Sequence, residues 1–327
     1  MRILLVPDPT SPNVEDAFCR DIAKRAPARG HSCEIRAASA GHAAADAVVV
    51  NSLQVPSLEA ARAAGTPVVL RLIDSYAGSP EAAAAARGHA LASDRVVVPS
   101  AYLKGIVAGW GVPEGRIVVA PYAYDQIFAQ QIALVTMRAA RPSGFGLVTA
   151  GVMDAANQAA FETVLSAVSR LRLDCHLAVI GDGPGLPALK ARAEQLMLGS
   201  KVTFLGDLPH PKKMEYLRAA KAYIEPSGLQ GFPSFALHAM SEGCPVVGAA
   251  AGSVPELVSD GVNGLLVPAK DEAALTRALY TLADDPELRR RFGAAGLEIT
   301  RTRFSVATMA AEMEAFYLRS LAERHGR

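Results

Sequence analysis

Three loops of this chain gather residue types that handle anions and hydroxyls. Gly181-Asp182-Gly183-Pro184 follows the apolar run His176 to Ile180. Its glycines allow a tight turn and close approach of a ligand, and a plain strand-to-helix turn explains them equally well. The second loop runs from Glu225 through Pro226, Ser227, Gln230, Gly231, Phe232 and Pro233 to Ser234, and feeds the segment carrying Phe235 to Met240. A loop ahead of a helix N-terminus offers backbone N–H groups and the helix dipole to a phosphate. Ser234 is placed to cap that helix, whereas Pro233 removes one donor. Glu225 reads as a solvated strand end. In the third loop, Gly252-Ser253-Val254-Pro255-Glu256, the acid suits a helix N-terminus with or without a ligand. Arg71 interrupts the apolar run Pro67 to Leu72; it either reaches a cleft or pairs with Asp74 or Asp94.

These loops need a scaffold, and hydrophobic patterning supplies one. Near-continuous apolar runs predict parallel strands at Arg2 to Val6, Ser32 to Arg36, Ala47 to Asn51, Pro67 to Leu72, Arg95 to Val98 and Ile117 to Ala120. Helical patterns lie between them, at Val14 to Arg29, Ser57 to Ala64, Pro80 to Ala92 and Ala101 to Trp110. The pattern weakens from Tyr122 to Gly144 and then restarts. Strands are predicted at Gly146 to Thr149, His176 to Ile180, Lys201 to Leu205, Ala222 to Glu225, Pro245 to Ala249 and Gly264 to Val267. Helices are predicted at Ala156 to Leu171, Gly185 to Leu198, Pro211 to Ala219, Ser234 to Glu242, Val254 to Ser259, Asp271 to Ala283, Pro286 to Thr300 and Val306 to Arg324. Alternation of this kind implies right-handed β-α-β units in two doubly wound α/β domains. In such sheets ligands bind beyond the carboxyl ends of the strands, which is where the three loops lie.

Composition narrows the function classes. With 327 residues, two domains are the expectation. Half the residues are hydrophobic and 20% are charged, so sizeable cores form; the net charge of +1 gives no footing for nucleic acid or for broad attraction to an anionic membrane. Cys19, Cys33, Cys175 and Cys244 have spacings that suit neither zinc nor a disulfide framework, and read as small buried hydrophobes. No stretch approaches the roughly 20 apolar residues of a membrane span. The expectation is a soluble cytoplasmic protein, with a peripheral membrane contact left open. His31 and His176 read as structural, His210 as an exposed turn residue, Lys212 and Lys213 as a solvated helix face, and Trp110 as packing at a helix end.

The order of motifs resembles the donor-binding half of retaining glycosyltransferases of family 4 (glycosyl transferases group 1). The matching stretches are Val202-Thr203-Phe204-Leu205-Gly206, Pro226-Ser227 with Gly231-Phe232, Leu237 to Val247, Gly252 to Val258 and Asp260 to Val267, with Asp182 upstream. Arg29-Gly30-His31, Val97-Val98-Pro99-Ser100 and Val118 to Asp125 are similar to that family's N-terminal segments. The resemblance implies a GT-B architecture: two Rossmann-like domains facing a cleft, with a last helix that returns to the first domain. The implied boundaries are 1–125 for the acceptor domain, 126–144 for a linker, 145–303 for the donor domain and 304–327 for the returning helix.

The resemblance implies transfer of a sugar from a nucleotide-diphosphate donor, with retention, to a glycan, lipid-linked or small-molecule acceptor, without a metal or bound cofactor. Implied donor contacts are Gly181, Asp182, Ser227, Gln230, Gly231, Phe232, Ser234, His238 and Glu256. Implied acceptor contacts are Ser11, Asn13, Asp74, Ser75 and Tyr76, and the catalytic candidates are Gln230 and Asp74. The sequence also departs from the family. Gln230 and His238 stand where the family has two glutamates, and Val152 and Asn157 stand where it has an Arg and a Lys that neutralise the leaving diphosphate. Ser11-Pro12-Asn13 stands at its Gly-Gly loop, and Ile73 at a usual His. Those departures motivate an alternative: a GT-B scaffold that has lost catalysis and serves as a binding or partner subunit. An epimerase-like or phosphorylase-like enzyme of the same fold is a third reading, although no Lys motif for a pyridoxal cofactor is present.

Overall fold

The computed structural model describes residues 2–6, 32–35, 47–50, 67–74, 76, 79–123, 144–226, 231–305, 308–309 and 311–312. The expected helices Val14 to Arg29 and Ser57 to Ala64 lie outside the described residues, and most of the stretch 126–144 and of Val306 to Arg324 does too. Contacts divide the chain into two units, Met1–Pro121 with Val306–Arg327, and Tyr122–Ser305.

The first unit holds a six-stranded parallel sheet: β1 (Arg2–Val6), β2 (Ser32–Ile35), β3 (Ala47–Val50), β4 (Val68–Arg71), β5 (Arg95–Val98) and β6 (Ile117–Val119), in the order β2-β1-β3-β4-β5-β6. Its described helices are α1 (Pro80–Ala92) and α2 (Ala101–Gly109). Ser79 caps α1, accepting from the Ala82 N–H at 3.3 Å, and buried Ser100 caps α2 through the Leu103 N–H at 3.1 Å. Each such cap stabilises its helix by about 1 kcal/mol. Val68, Leu70, Leu103 and Val107 share the core, and Trp110 closes α2 against it, as the sequence implied.

The second unit is a complete doubly wound layer structure. Its strands are β7 (Phe145–Ala150), β8 (Cys175–Ile180), β9 (Val202–Phe204), β10 (Ala222–Glu225), β11 (Val246–Ala249) and β12 (Gly264–Val267), all parallel, in the order β12-β11-β10-β7-β8-β9. The helices are α3 (Gln158–Ser169), α4 (Leu186–Gln195), α5 (His210–Ala219), α6 (Ser234–Ser241), α7 (Val254–Leu257), α8 (Glu272–Asp284) and α9 (Pro286–Thr302). Both faces of the sheet are covered. Leu147, Ile224 and Val247 pack with α3, α4 and α8, while Val148, Tyr223 and Val246 pack with α5, α6 and α7. This alternation is the period of two along each strand, and cover on both faces is why the strands read as unbroken apolar runs.

Two details fix the frame of the second unit. The Asp260 to Gly264 stretch is a structural turn. Asn263, fully buried, accepts from the Ser259 N–H at 2.7 Å and donates to the Leu257 carbonyl at 3.0 Å, and Asp260 accepts from the Leu266 N–H at 2.9 Å. Helix α9 lies close against α6. A Cβ at Gly293 would stand 2.2 Å from the Gly243 carbonyl oxygen, and one at Gly296 would stand 3.2 Å from Met240 Cγ. At Gly293, where the neighbour is backbone, only glycine permits that approach.

Candidate nucleotide-sugar site

In the second unit the strand order reverses between β7 and β10, so the crevice beyond their carboxyl ends is where an open α/β sheet binds its ligand. Buried Tyr223 sits at that reversal. Its hydroxyl lies 3.4 Å from the Ala150 carbonyl oxygen, at the end of β7, and 3.3 Å from Glu225 Oε2, at the end of β10. Burial first, then the Glu225 carboxylate, hold this phenol well above its usual range, so it stays a neutral donor. Glu225 is only 2% exposed, which overturns the reading of a solvated strand end. Glu225 ends a strand whose four residues are all buried, on the face it shares with Tyr223.

The β7 and β8 loops form one wall. Met153 N–H donates to the Asp182 carbonyl at 3.0 Å, Gly185 N–H to the Met153 carbonyl at 2.7 Å, and Gly183 N–H to Asp182 Oδ1 at 2.7 Å. A Cβ at Gly181 would stand 2.0 Å from the Gly151 carbonyl oxygen, and one at Gly183 2.4 Å from that of Met153. Both glycines also have φ in the left-handed region, at 129° and 149°. Their role is thus to let two loops touch backbone to backbone. Val152, on the same wall, is 58% exposed and uncharged. Asn157 is turned inward: its amide and its Nδ2 both donate to Asp154 Oδ1 at 2.9 Å. Neither residue brings a cation to a diphosphate.

The β10 loop and α6 form the opposite wall. Ser227 and Gln230 lie outside the described residues. Gly231 is buried at the loop's end. Phe232 is 4% exposed and packs between Tyr122 and Phe304, at ring-centroid distances of 5.6 and 5.7 Å. That burial, worth about 2 kcal/mol, makes its ring a core anchor and leaves only its backbone to meet a ligand. The N-cap of α6 is Pro233, and not Ser234 as expected; Ser234 is the first helical residue, and its N–H is turned back to the Phe232 carbonyl at 2.9 Å. His238, one turn along α6, is half-buried. The His210 ring meets it edge-on at 5.2 Å and Phe235 at 6.3 Å, and Lys213 lies over Phe235 at 5.4 Å. Burial first, then His210 and Lys213, push His238 down to about 3, so it is a neutral imidazole near pH 7. Two expectations fail here. His210 is the half-buried first residue of α5, not an exposed turn, and Lys213 is ion-paired to Asp207 at 2.7 Å with its side chain only 20% exposed. The bidentate pair of Arg218 with Glu242, at 2.6 and 3.1 Å, ties α5 to α6 behind the imidazoles.

Glu256 is half-buried in the four-residue helix α7. Of the residues expected on the acceptor side, Ser11, Asn13 and Ser75 lie outside the described residues. Asp74 and Tyr76, both half-buried, follow β4 in the first unit, and Tyr76 has a left-handed φ of 56°. Arg71 is buried at the end of β4, while Asp94 Oδ2 accepts from the Val68 N–H at 2.9 Å. Tyr223, His210 and Lys213 are the residues that sequence reasoning missed. A tyrosine in an apolar strand carries no signal of its own, and the meeting of α5 with α6 is tertiary.

Comparison with known proteins sets this geometry in context. Residues 152–298 match the model of the family described as glycosyl transferases group 1. The D-inositol 3-phosphate glycosyltransferase of Corynebacterium glutamicum is 31% identical over 225 residues, which cover 65% of this chain and 54% of the relative. The 2-deoxystreptamine N-acetyl-D-glucosaminyltransferase of Streptomyces fradiae is 33% identical over 141 residues, 43% of this chain and 34% of that protein. The matches thus span about half, or less, of these relatives' lengths. Among solved structures, Anabaena Alr3699/HepE in complex with UDP-glucose superposes with a TM-score of 0.78 at 19% identity, covering 98% of this chain and 100% of the other. Sucrose-phosphate synthase from Thermosynechococcus elongatus gives a TM-score of 0.77 at 18% identity, covering 99% and 100%. The chain has the GT-B fold, and its residues 152–298 are similar to the glycosyl transferases group 1 family.

Proposed function

We propose that this protein transfers a sugar, with retention, from a nucleotide-diphosphate donor held at the β7/β10 crevice of the second unit. The observation that carries this reading is that the family match, residues 152–298, spans the loops on both sides of that crevice. Donor contacts are Gly181, Asp182, Ser227, Gln230, Gly231, Ser234, His238, Glu256 and the backbone of Phe232. The acceptor is a glycan, a lipid-linked or a small-molecule acceptor, with Ser11, Asn13 and Asp74 to Tyr76 as its contacts and Asp74, with Gln230, as a catalytic candidate. UDP-glucose is the first donor to try, since a protein of the same fold binds it.

Negative charge develops on the departing phosphates, and Val152 and Asn157 cannot meet it. Backbone N–H groups at the start of α6, with the dipole of that helix, take this role, and no metal is required. Turnover over a panel of nucleotide sugars, with polyol and glycan acceptors, is the test. Activity that is unchanged by EDTA and collapses in Gln230→Ala supports the reading. Binding of no nucleoside diphosphate by calorimetry would sink it.

A further inference from the structure

The chain passes between its two units twice, at Pro121 to Tyr122 and at Ser305 to Val306. Beside each crossing stands an aromatic residue of the second unit: Tyr122 just after the first, Phe304 just before the second. Both rings rest on Phe232, at centroid distances of 5.6 and 5.7 Å and interplanar angles of 46° and 53°. Phe232 and Phe304 are buried and Tyr122 is half-buried. Arg303 lies over the Phe304 ring at 5.3 Å. Two segments far apart in the sequence therefore share one ring, and that ring belongs to the loop that enters α6.

We propose that Phe232 is a positioning residue that couples the donor loop to both crossings, so that a bound nucleotide stiffens the two segments by which the chain passes between its units. This inference rests on the donor reading above. Phe232 has two separate sets of neighbours. Its backbone lies in the loop ahead of α6, where its carbonyl accepts from the Ser234 N–H at 2.9 Å. Its side chain is the surface on which Tyr122 and Phe304 sit.

The coupling needs no long path. One Cα–Cβ bond joins the backbone of Phe232 to its ring, and a side chain in a packed core is held to one rotamer. The ring shares its core with Ala236, Leu237 and Met240 of α6. A close-packed interior passes on a shift that a fluid one would absorb. A ligand that orders the Phe232 backbone thereby narrows the positions of the ring, and aromatic pairs at these distances weaken when one ring moves. The order reaches Tyr122 and Phe304 together. A leucine at position 232 would supply apolar bulk without the flat faces that two aromatic partners need.

Hydrogen exchange read by mass spectrometry tests this on the full chain, with whichever of uridine, guanosine and adenosine diphosphate binds by calorimetry. In wild type the nucleotide is expected to slow exchange about threefold in the peptides that carry Tyr122 and Phe304, as well as in the peptide that carries Phe232. In Phe232→Leu the donor-loop peptide keeps its response and both crossings lose theirs. Tyr122→Leu and Phe304→Leu leave the donor loop untouched, and each is expected to release its own crossing while the other stays coupled. Loss of overall stability speeds exchange with and without nucleotide alike, so the ligand-dependent difference is the quantity compared. Crossings that are unresponsive in wild type while the Phe232 peptide responds, or that respond equally in wild type and every variant, overturn the coupling. If none of the diphosphates binds, the donor reading itself fails, and the coupling with it.

Discussion

The two walls of the crevice in the second unit are built from different materials. The β7/β8 wall is mainly backbone: Gly181 and Gly183 exist so that two loops can lie carbonyl against Cα, and amide-to-carbonyl hydrogen bonds join the loops. The α5/α6 wall is side chain: two imidazoles, a phenyl ring, an ion-paired lysine and a bidentate arginine. A backbone wall tolerates no substitution at its glycines and little variation in shape. A side-chain wall can be re-equipped residue by residue while the helices stay in place. Of the described departures, His238 falls on the second kind of wall, where changing a side chain changes the chemistry without moving the frame, whereas Val152 and Asn157 are side chains carried by the first.

Mutations can break that contrast. The largest effect belongs to the backbone wall. Gly181→Ala forces a Cβ to within 2.0 Å of a carbonyl oxygen at a left-handed φ. We expect a loss of about 3 kcal/mol or more in unfolding free energy by urea titration, together with loss of nucleotide binding. If Gly181→Ala is neutral, the wall is softer than drawn. His238→Ala is expected to leave unfolding within about 1 kcal/mol of wild type while weakening donor affinity roughly tenfold, read by calorimetry. Arg218→Ala removes the partner of a nearly buried Glu242 and should cost about 1 kcal/mol of stability; a fall in donor affinity beyond that would show that the pair also orients the imidazoles. The smallest effect is a slope. His238 titrates near 6.5 when unfolded and near 3 when folded, so between these values the unfolded chain binds the extra proton. Stability therefore falls as pH drops below 6.5, and His210 acts in the same direction. Urea midpoints between pH 6.5 and 5.5 should drop less steeply in His238→Ala than in wild type.

The sequence showed the frame more clearly than the site. The twelve strands of the described residues appear where the apolar runs put them, because strands buried on both faces must be apolar throughout. The described helices end within a few residues of their predicted bounds. The site was legible only as far as local chemistry reaches. The Gly181 to Pro184 turn was visible, but its reason, contact with Gly151 and Met153, lies across the sheet. Ser234 was the better cap by residue type, yet the chain turns back from Phe232 one residue too early for it to serve. Glu225 looked solvated because nothing in the sequence says that a tyrosine two residues earlier shares its face with the end of β7. His210 and His238 are brought together only by the packing of α5 on α6. Cys175 and Cys244 are buried free thiols as composition suggested, and burial pushes Cys244 up to about 12.

The contact of Gly293 with the Gly243 carbonyl has a consequence for how this protein can diverge. Gly293 lies on a helix far along the chain from every motif, yet it sets how close α9 comes to the end of the helix that bears His238. A methyl group there would press on the Gly243 backbone just beyond α6, and is expected to shift that helix and its imidazole. If His238 meets the donor as proposed, drift in α9 would alter donor affinity, and two chains with identical crevice residues would differ in donor preference through a helix that neither donor meets.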